Sequence, residues 1–238
     1  MFNGKMKALT FSYDDGVLQD ERLVDIFNKY NLKGTFNINS ELLGCQGSLN
    51  VRGTVVGHTK INPEEVEILY AGHEIAVHTL THPNLTTLEE EEIIQQVEED
   101  RIRLSQLAGY EVYGMAYPCG GVNNDARVAE IIKKNTKVKY ARTITPTYSF
   151  DLQSNLYRFN PTIHHTEWDK LQEMVQTFID LETDKPALFY IWGHSYEFDE
   201  ENTWELFEDI CRDLSNRDDI FYGTNKDVLL MGGGKVCL

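Results

Sequence analysis

Lys7-Ala8-Leu9-Thr10-Phe11-Ser12, continuing into Tyr13-Asp14-Asp15-Gly16, is an apolar run of strand length that ends on two carboxylates and a glycine. The same arrangement recurs down the chain. His73 to His78 reads as a strand ending on an imidazole, and Glu111 to Tyr117 as a strand running into Pro118-Cys119-Gly120-Gly121. Pro186 to Trp192 is another, followed by Gly193-His194. Helical patterns stand between them. Asp20 to Tyr30 places Leu23, Ile26 and Phe27 on one face, the 3.6-residue period of an amphipathic helix. Strand and helix repeat about seven times without a linker, which predicts one α/β domain over residues 1–238 with parallel strands. The chemically capable residues Asp14, His78, Tyr117 and His194 all fall at the C-terminal end of a strand. A (β/α) barrel gathers its active site on that one face, so a barrel is expected ahead of a doubly wound open sheet.

The remaining elements follow from local signals. Gly34 to Ile38, Val138 to Thr143 and Ile220 to Tyr222 read as strands, with Thr54-Val55-Val56 a short one in a loop-rich stretch. Pro63 to Tyr70 opens with proline and two glutamates, a good helix start. Thr87 to Leu107 is expected as a long helix, with Thr87 and Glu90 as its capping box. Asp125 to Asn135, Trp168 to Asp180 and Thr203 to Leu214 complete the helices. The glycine-rich tail Met231 to Leu238 is expected to lie loose.

The chain has 238 residues, 41% hydrophobic, enough to bury a substantial core. Its formal net charge of −16 makes it a poor partner for nucleic acid or an anionic membrane surface. No stretch approaches the ~20 apolar residues of a membrane span. No signal peptide is visible, so a cytoplasmic location is the default expectation. The four cysteines, Cys45, Cys119, Cys211 and Cys237, form no CxxC pair and read as free thiols.

His78 and His82, four residues apart, have the spacing of ligands on one face of a helical turn, and with a carboxylate they supply three ligands for a divalent cation. A second carboxylate beside them is a ready base. Three protein ligands with an open fourth position are the arrangement of a hydrolytic metal site rather than a structural one. Each feature also has a plainer reading: Asp14-Asp15-Gly16 as a surface turn, His78 and His82 as loop histidines, and Tyr117 to Gly121 as a strand-to-helix turn. His194, after the apolar run Ile191-Trp192, suits a general acid, because its pKa lies near neutrality. His73 is expected to be structural, and His164 and His165 to be loop residues without a partner.

These residues together resemble the polysaccharide deacetylase family, the carbohydrate esterases of the chitooligosaccharide-deacetylase type. Ser12-Tyr13-Asp14-Asp15-Gly16 is similar to the family's Thr-Phe-Asp-Asp-Gly. Gly72 through Pro83, containing His78-Thr79-Leu80-Thr81-His82, resembles its metal-binding second motif. Ala116-Tyr117-Pro118-Cys119-Gly120 resembles a variant of the third, and Trp192-Gly193-His194 the late motif. The resemblance implies a distorted (β/α) barrel and one divalent metal, zinc first, with cobalt, nickel or manganese as substitutes. It implies Asp15, His78 and His82 as metal ligands and Asp14 as the base. It implies the backbone N–H of Cys119 as an oxyanion donor and His194 as the acid that protonates the leaving amine or alcohol. Tyr117, Cys119 and Trp192 would meet an acetylated sugar or oligosaccharide, with Trp168 a further stacking candidate.

The chain departs from the family in three places. Ala116 stands where the third motif carries an arginine that orients the base. Cys119 replaces the usual aromatic residue, and the Asp-and-Trp fourth motif has no clear counterpart. Arg142, in Tyr140-Ala141-Arg142-Thr143, is the candidate replacement for the arginine.

Two other readings use the same residues: an amidohydrolase acting on a small non-sugar amide or cyclic ureide, and a carbohydrate-binding barrel without catalysis. Oligomeric state is not legible. If Arg142 serves the base, Arg142→Ala is expected to cut turnover with little loss of bound metal, and unchanged turnover with full metal content would remove the role.

Overall fold

Ten strands succeed one another among the described residues: β1 (Lys7–Asp14), β2 (Gly34–Ile38), β3 (Ser48–Val51), β4 (Thr54–Gly57), β5 (Glu74–Val77), β6 (Gly114–Ala116), β7 (Tyr140–Arg142), β8 (Ile163–His164), β9 (Ala187–Gly193) and β10 (Ile220–Tyr222). The computed structural model describes residues 1–230. The tail expected to lie loose, with Cys237, falls outside the described residues.

β1 organises the sheet. All eight of its residues are buried, as are all seven of β9. A parallel strand covered on both faces must be apolar nearly throughout, and these two are. β9 pairs with β1 along its length, from Lys7 opposite Ala187 to Tyr13 opposite Gly193. The other edge of β1 is shared. β10 takes its first half, at Lys7 to Leu9, and β2 takes its second, at Phe11 to Asp14. The sheet runs β7-β6-β5-β2-β1-β9-β8, and every pairing in it is parallel. These seven strands curl into a half-barrel with helices outside, the distorted (β/α) barrel expected from the sequence. A flat sheet would hold β1 and β7, four spacings of about 4.8 Å apart, some ~19 Å from each other. Yet Arg142 at the end of β7 touches Asp14 at the end of β1.

The core lies between sheet and helices. Helix Asp20–Lys29 buries Leu23, Val24, Ile26 and Phe27. Phe27 packs on Phe11, with ring centroids 4.8 Å apart, and near Phe207 of helix Trp204–Leu214, at 6.3 Å. Phe36 of β2 stacks on Tyr70 at 4.5 Å.

Several boundaries differ from expectation. The long helix begins at Glu90, capped by Glu89 and Glu92 rather than by Thr87 and Glu90. The Thr87 hydroxyl donates instead to the Asn84 carbonyl and closes the preceding turn. The helix runs from Glu90–Ile94 to Asp100–Ala108 through a π turn at Gln95–Glu99. Thr54-Val55-Val56 is not part of the barrel. It pairs antiparallel with Ser48–Val51 in a separate hairpin. β6 and β7 are shorter than expected, because only residues facing a neighbouring strand join the ladder. The two-residue β8 has too little length to show a period. No helix among the described residues is long and apolar enough to cross a membrane.

Phe36 is fully buried at the centre of this packing. Phe36→Ala is expected to cost about 3–5 kcal/mol in urea unfolding; a loss under about 1 kcal/mol would show that the site repacks.

Candidate active site

The C-terminal ends of the strands open on one pocket of about 420 Å³. At its floor are Asp14, Asp15, His78, His82 and His194, with Tyr117, Cys119 and Trp192 on the walls. Arg142 reaches Asp14 from beneath, and Trp168 lies elsewhere, its indole N–H donating to Glu201 at 2.6 Å.

Asp15, His78 and His82 converge. Asp15 Oδ1 lies 3.9 Å from His78 Nε2 and 3.6 Å from His82 Nε2. One ligand atom from each falls within 4.8 Å of the others. His78 Nδ1 lies 2.9 Å from the Ala116 carbonyl, which fixes the ring so that Nε2 faces the cluster. Burial pushes the His78 pKa down to about 4, and burial lowers that of His82 as well. Both rings are therefore neutral and offer lone pairs at physiological pH. For Asp15, burial acts to raise the pKa, but the His58 hydrogen bond and the Lys60 charge bring it well below the usual carboxylate range. An ionised carboxylate with two neutral imidazoles is a donor set that suits zinc and other borderline divalent ions.

No helical turn brings the two histidines together, contrary to what their spacing suggested. A loop does, with positive φ at Thr79 and His82. The π turn of the neighbouring helix anchors that loop. Leu80 N–H donates to the Gln96 carbonyl at 3.0 Å, and Thr81 N–H to the Gln96 side chain at 3.1 Å. The buried Asp100 carboxylate accepts from His78 N at 3.1 Å and Ser40 N at 2.8 Å. Asp15 and Cys119 also adopt positive φ, at 85° and 69°. Left-handed backbone at four non-glycine residues in and beside one pocket is strain of the kind folds retain at functional sites.

Asp14 stands beside the cluster, its Oδ2 3.9 Å from His78 Nε2. Arg142, fully buried, donates from Nη2 to both carboxylate oxygens, at 2.6 and 2.5 Å. Asn37 Nδ2 adds a bond of 2.8 Å to Oδ1. Burial would raise the Asp14 pKa; Arg142, His78 and His194 nonetheless hold it below its ordinary value. The guanidinium lies 4.3 Å over the Trp192 ring, so that mostly buried tryptophan supports Arg142 as well as lining the pocket. The arginine missing at Ala116 is thus matched in space by one on the next strand. Tyr117 is buried, with its hydroxyl donating to the Tyr157 carbonyl at 2.8 Å. Asn123 Nδ2 bonds the carbonyls of Tyr117, Pro118 and Cys119 and sets the turn between them.

Three groups in or beside the pocket escaped the sequence reading, His58, Lys60 and Glu197. His58 Nε2 lies 3.1 Å from Asp15 Oδ2, and Lys60 Nζ donates to the Asp15 carbonyl at 2.7 Å. Both stand just past the β3–β4 hairpin, where no pattern marks them. Glu197 Oε2 is 3.2 Å from His194 Nδ1, and His164 Nε2 is 3.4 Å from the same oxygen. The His194-x-x-Glu197 spacing was the available signal. His164 and His165, expected as unpartnered loop residues, instead lie at and just past the end of β8, both beside Glu197.

The strand ends of the half-barrel thus present an ionised carboxylate, two neutral imidazoles and a second, ion-paired carboxylate. The sequence model of the polysaccharide deacetylase family matches residues 2–140, more than half of the chain, and the chain belongs to that family. It is 26% identical over 126 residues to the peptidoglycan-N-acetylmuramic acid deacetylase PdaC of Bacillus subtilis (strain 168). That match takes in 52% of this chain and 24% of the relative, so the chain spans about a quarter of that protein's length. Among solved structures, the fold is shared with a family 4 acetyl xylan esterase from Clostridium thermocellum in complex with a cobalt ion. There the TM-score is 0.59, the identity 16%, and the coverage 95% of this chain and 92% of that one. It is shared too with a mutant CE4 family pseudoenzyme of Bacillus anthracis with restored enzymatic activity, at TM-score 0.60, 17% identity, 93% of this chain and 66% of that one.

Burial disfavours the charged form of His194, but Glu197 outweighs it and raises the pKa from 6.5 to about 9. The imidazolium's contribution to stability is therefore complete below about pH 6.5 and lost as pH rises through about 9. Glu197→Gln is expected to lower the His194 titration, followed by NMR, by about one to three units. A midpoint still near 9 would assign the shift to another group.

Proposed function

We propose that this chain is a metal-dependent hydrolase that removes acetyl groups from an N- or O-acetylated carbohydrate. The observation that carries the reading is one pocket in which Asp15, His78 and His82 converge, with the Asp14–Arg142 pair beside them and His194 on the same floor.

Asp15, His78 and His82 would hold one divalent ion, zinc first, with cobalt, nickel or manganese accepted by the same donors. Bound there, the ion supplies Lewis-acid polarisation of the acyl oxygen and acidifies water to a pKa of about 7. Asp14 is the base. Asn37 holds its Oδ1 and Arg142 donates to both oxygens, while Oδ2 lies toward the ligand cluster, placed to take the proton of the attacking water. Arg142 keeps Asp14 ionised and fixes its plane. The Cys119 backbone N–H, on a turn of positive φ, is the oxyanion donor. Glu197 engages His194 at Nδ1, so the proton available to the leaving group is the one on Nε2. Its transfer to the departing nitrogen or oxygen completes cleavage of the C–N or C–O bond, releasing acetate and a free amine or alcohol. Tyr117 and Trp192 wall the substrate.

One observation favours a smaller, non-sugar amide or cyclic ureide. Away from the charged floor the pocket is lined by Leu42, Leu49, Ile144 and Tyr196, which offer little to a sugar's hydroxyls. A tight apolar rim suits a compact substrate.

The test pairs metal content by plasma mass spectrometry with acetate release from a panel of acetylated sugars, on wild type and His78→Ala. One tightly held ion, lost in His78→Ala, with acetate released, is the expected result, and Asp14→Asn should lower turnover by about 10²–10⁴-fold with the ion retained. An ion held without acetate release would turn the search to small amides. No ion at any loading would leave a non-catalytic barrel.

A further inference from the structure

A second group of metal-binding side chains lies beside the first site. β8 ends in His164, with His165 directly after it, β9 runs parallel to it with Trp192 opposite His164, and His194 follows β9. Helix Glu197–Glu201 then returns its first residue to both. The result is four nitrogens around one oxygen. Glu197 Oε2 lies 3.0 Å from His194 N, 3.2 Å from His194 Nδ1, 3.4 Å from His164 Nε2 and 3.4 Å from His165 Nε2.

A carboxylate oxygen has lone pairs for about two N–H donors, so hydrogen bonding does not account for this packing. His165 shows the excess most clearly. It is fully buried between Tyr13 and Phe198, and neither of its ring nitrogens has a hydrogen-bond partner. Unpaired polar atoms in such a place are costly. The spacing does fit a cation. Ligands bonded at ~2.0–2.1 Å to a tetrahedral zinc stand about 3.3 Å apart. One donor atom from each of His164, His194 and Glu197 lies within 4.8 Å of the others. Thr166 closes on His164 Nδ1 with its hydroxyl at 2.8 Å and its donating backbone N–H at 3.3 Å, which holds the ring with Nε2 toward Glu197. The His164 and His194 side chains keep 17% and 21% of their surface, enough for an ion to reach them from solvent.

We infer that His164, His194 and Glu197 form a second divalent-cation site, distinct from Asp15, His78 and His82, with His165 buried behind it against Glu197. Zinc is the matching ion, since the donors are imidazoles and one carboxylate. Filling the site has a consequence that rests on the proposed function. The ion takes His194 Nδ1 and displaces its proton to solvent. His194 is then a neutral imidazole, a far weaker acid at Nε2, and Glu197 is no longer free to support its charge. Excess zinc would therefore inhibit.

The test is a zinc titration of the full chain after chelator stripping. Bound zinc is counted by equilibrium dialysis and plasma mass spectrometry, alongside acetate release. Two ions per chain are expected, the second weaker, with activity rising over the first equivalent and falling over the second. His164→Ala should bind one ion and lose the falling phase, and His78→Ala should bind one ion and retain the weaker. Thr166→Ala keeps every ligand and should weaken only the second ion, by about 10–100-fold, which decides the matter if His164→Ala does not fold. One ion in saturated wild type, or two in His164→Ala, overturns the inference. A count that falls from two to one in His164→Ala without any acetate release upholds the site and removes the hydrolase reading instead.

Discussion

A fully buried guanidinium has to be met by a carboxylate, because an unpaired charge out of water costs several kcal/mol. Arg142 is fully buried, and Asp14, 128 residues earlier in the chain, is its partner. Three strands stand between them in the sheet. The pair can form only if the sheet curls until the ends of β7 and β1 face each other, so the half-barrel and the buried ion pair require one another. The same contact keeps Asp14 ionised and oriented, and it sets the guanidinium over Trp192. Fold and chemistry meet in that one interaction.

The site around it rests on two kinds of support. Gln96 of the π turn, through its carbonyl and side chain, holds the loop that carries His82, and the Asp100 carboxylate holds His78 N, while left-handed backbone at Asp15, Thr79, His82 and Cys119 shapes the loops that carry them. Strained backbone persists where the surroundings over-determine it. Charge is arranged in opposition across the floor. Buried His78 stays neutral for want of solvent, while His194, close to Glu197, holds its proton. Two imidazoles in one pocket are thus set for different tasks by their neighbours alone.

Much of this was legible along the chain. β1 and β9 announce themselves because a strand covered on both faces must be apolar throughout, and the residues that follow such runs lie at one end of a parallel sheet. Asp14, Asp15, His78, His82 and His194 could be marked for that reason. His58 and Lys60 could not, since a hairpin outside the barrel delivers them and no local pattern precedes them. His164 ends a strand of two residues, too short for periodicity, His165 follows it, and both lacked a visible partner because Glu197 reaches them from a later helix. The four-residue spacing of His78 and His82 pointed to a helical turn, whereas backbone strain in a loop produced the same convergence.

By itself the sequence determined the order of strands and helices, the parallel α/β class and the kinds of side chain at the strand ends. Each of these is set by local apolar pattern and residue type. Only the tertiary structure decided the pairings: Arg142 with Asp14, His58 and Lys60 with Asp15, and three histidines with Glu197. Those contacts join residues brought close by the curl of the sheet, and charge complementarity selects among them only once burial has removed water as an alternative partner.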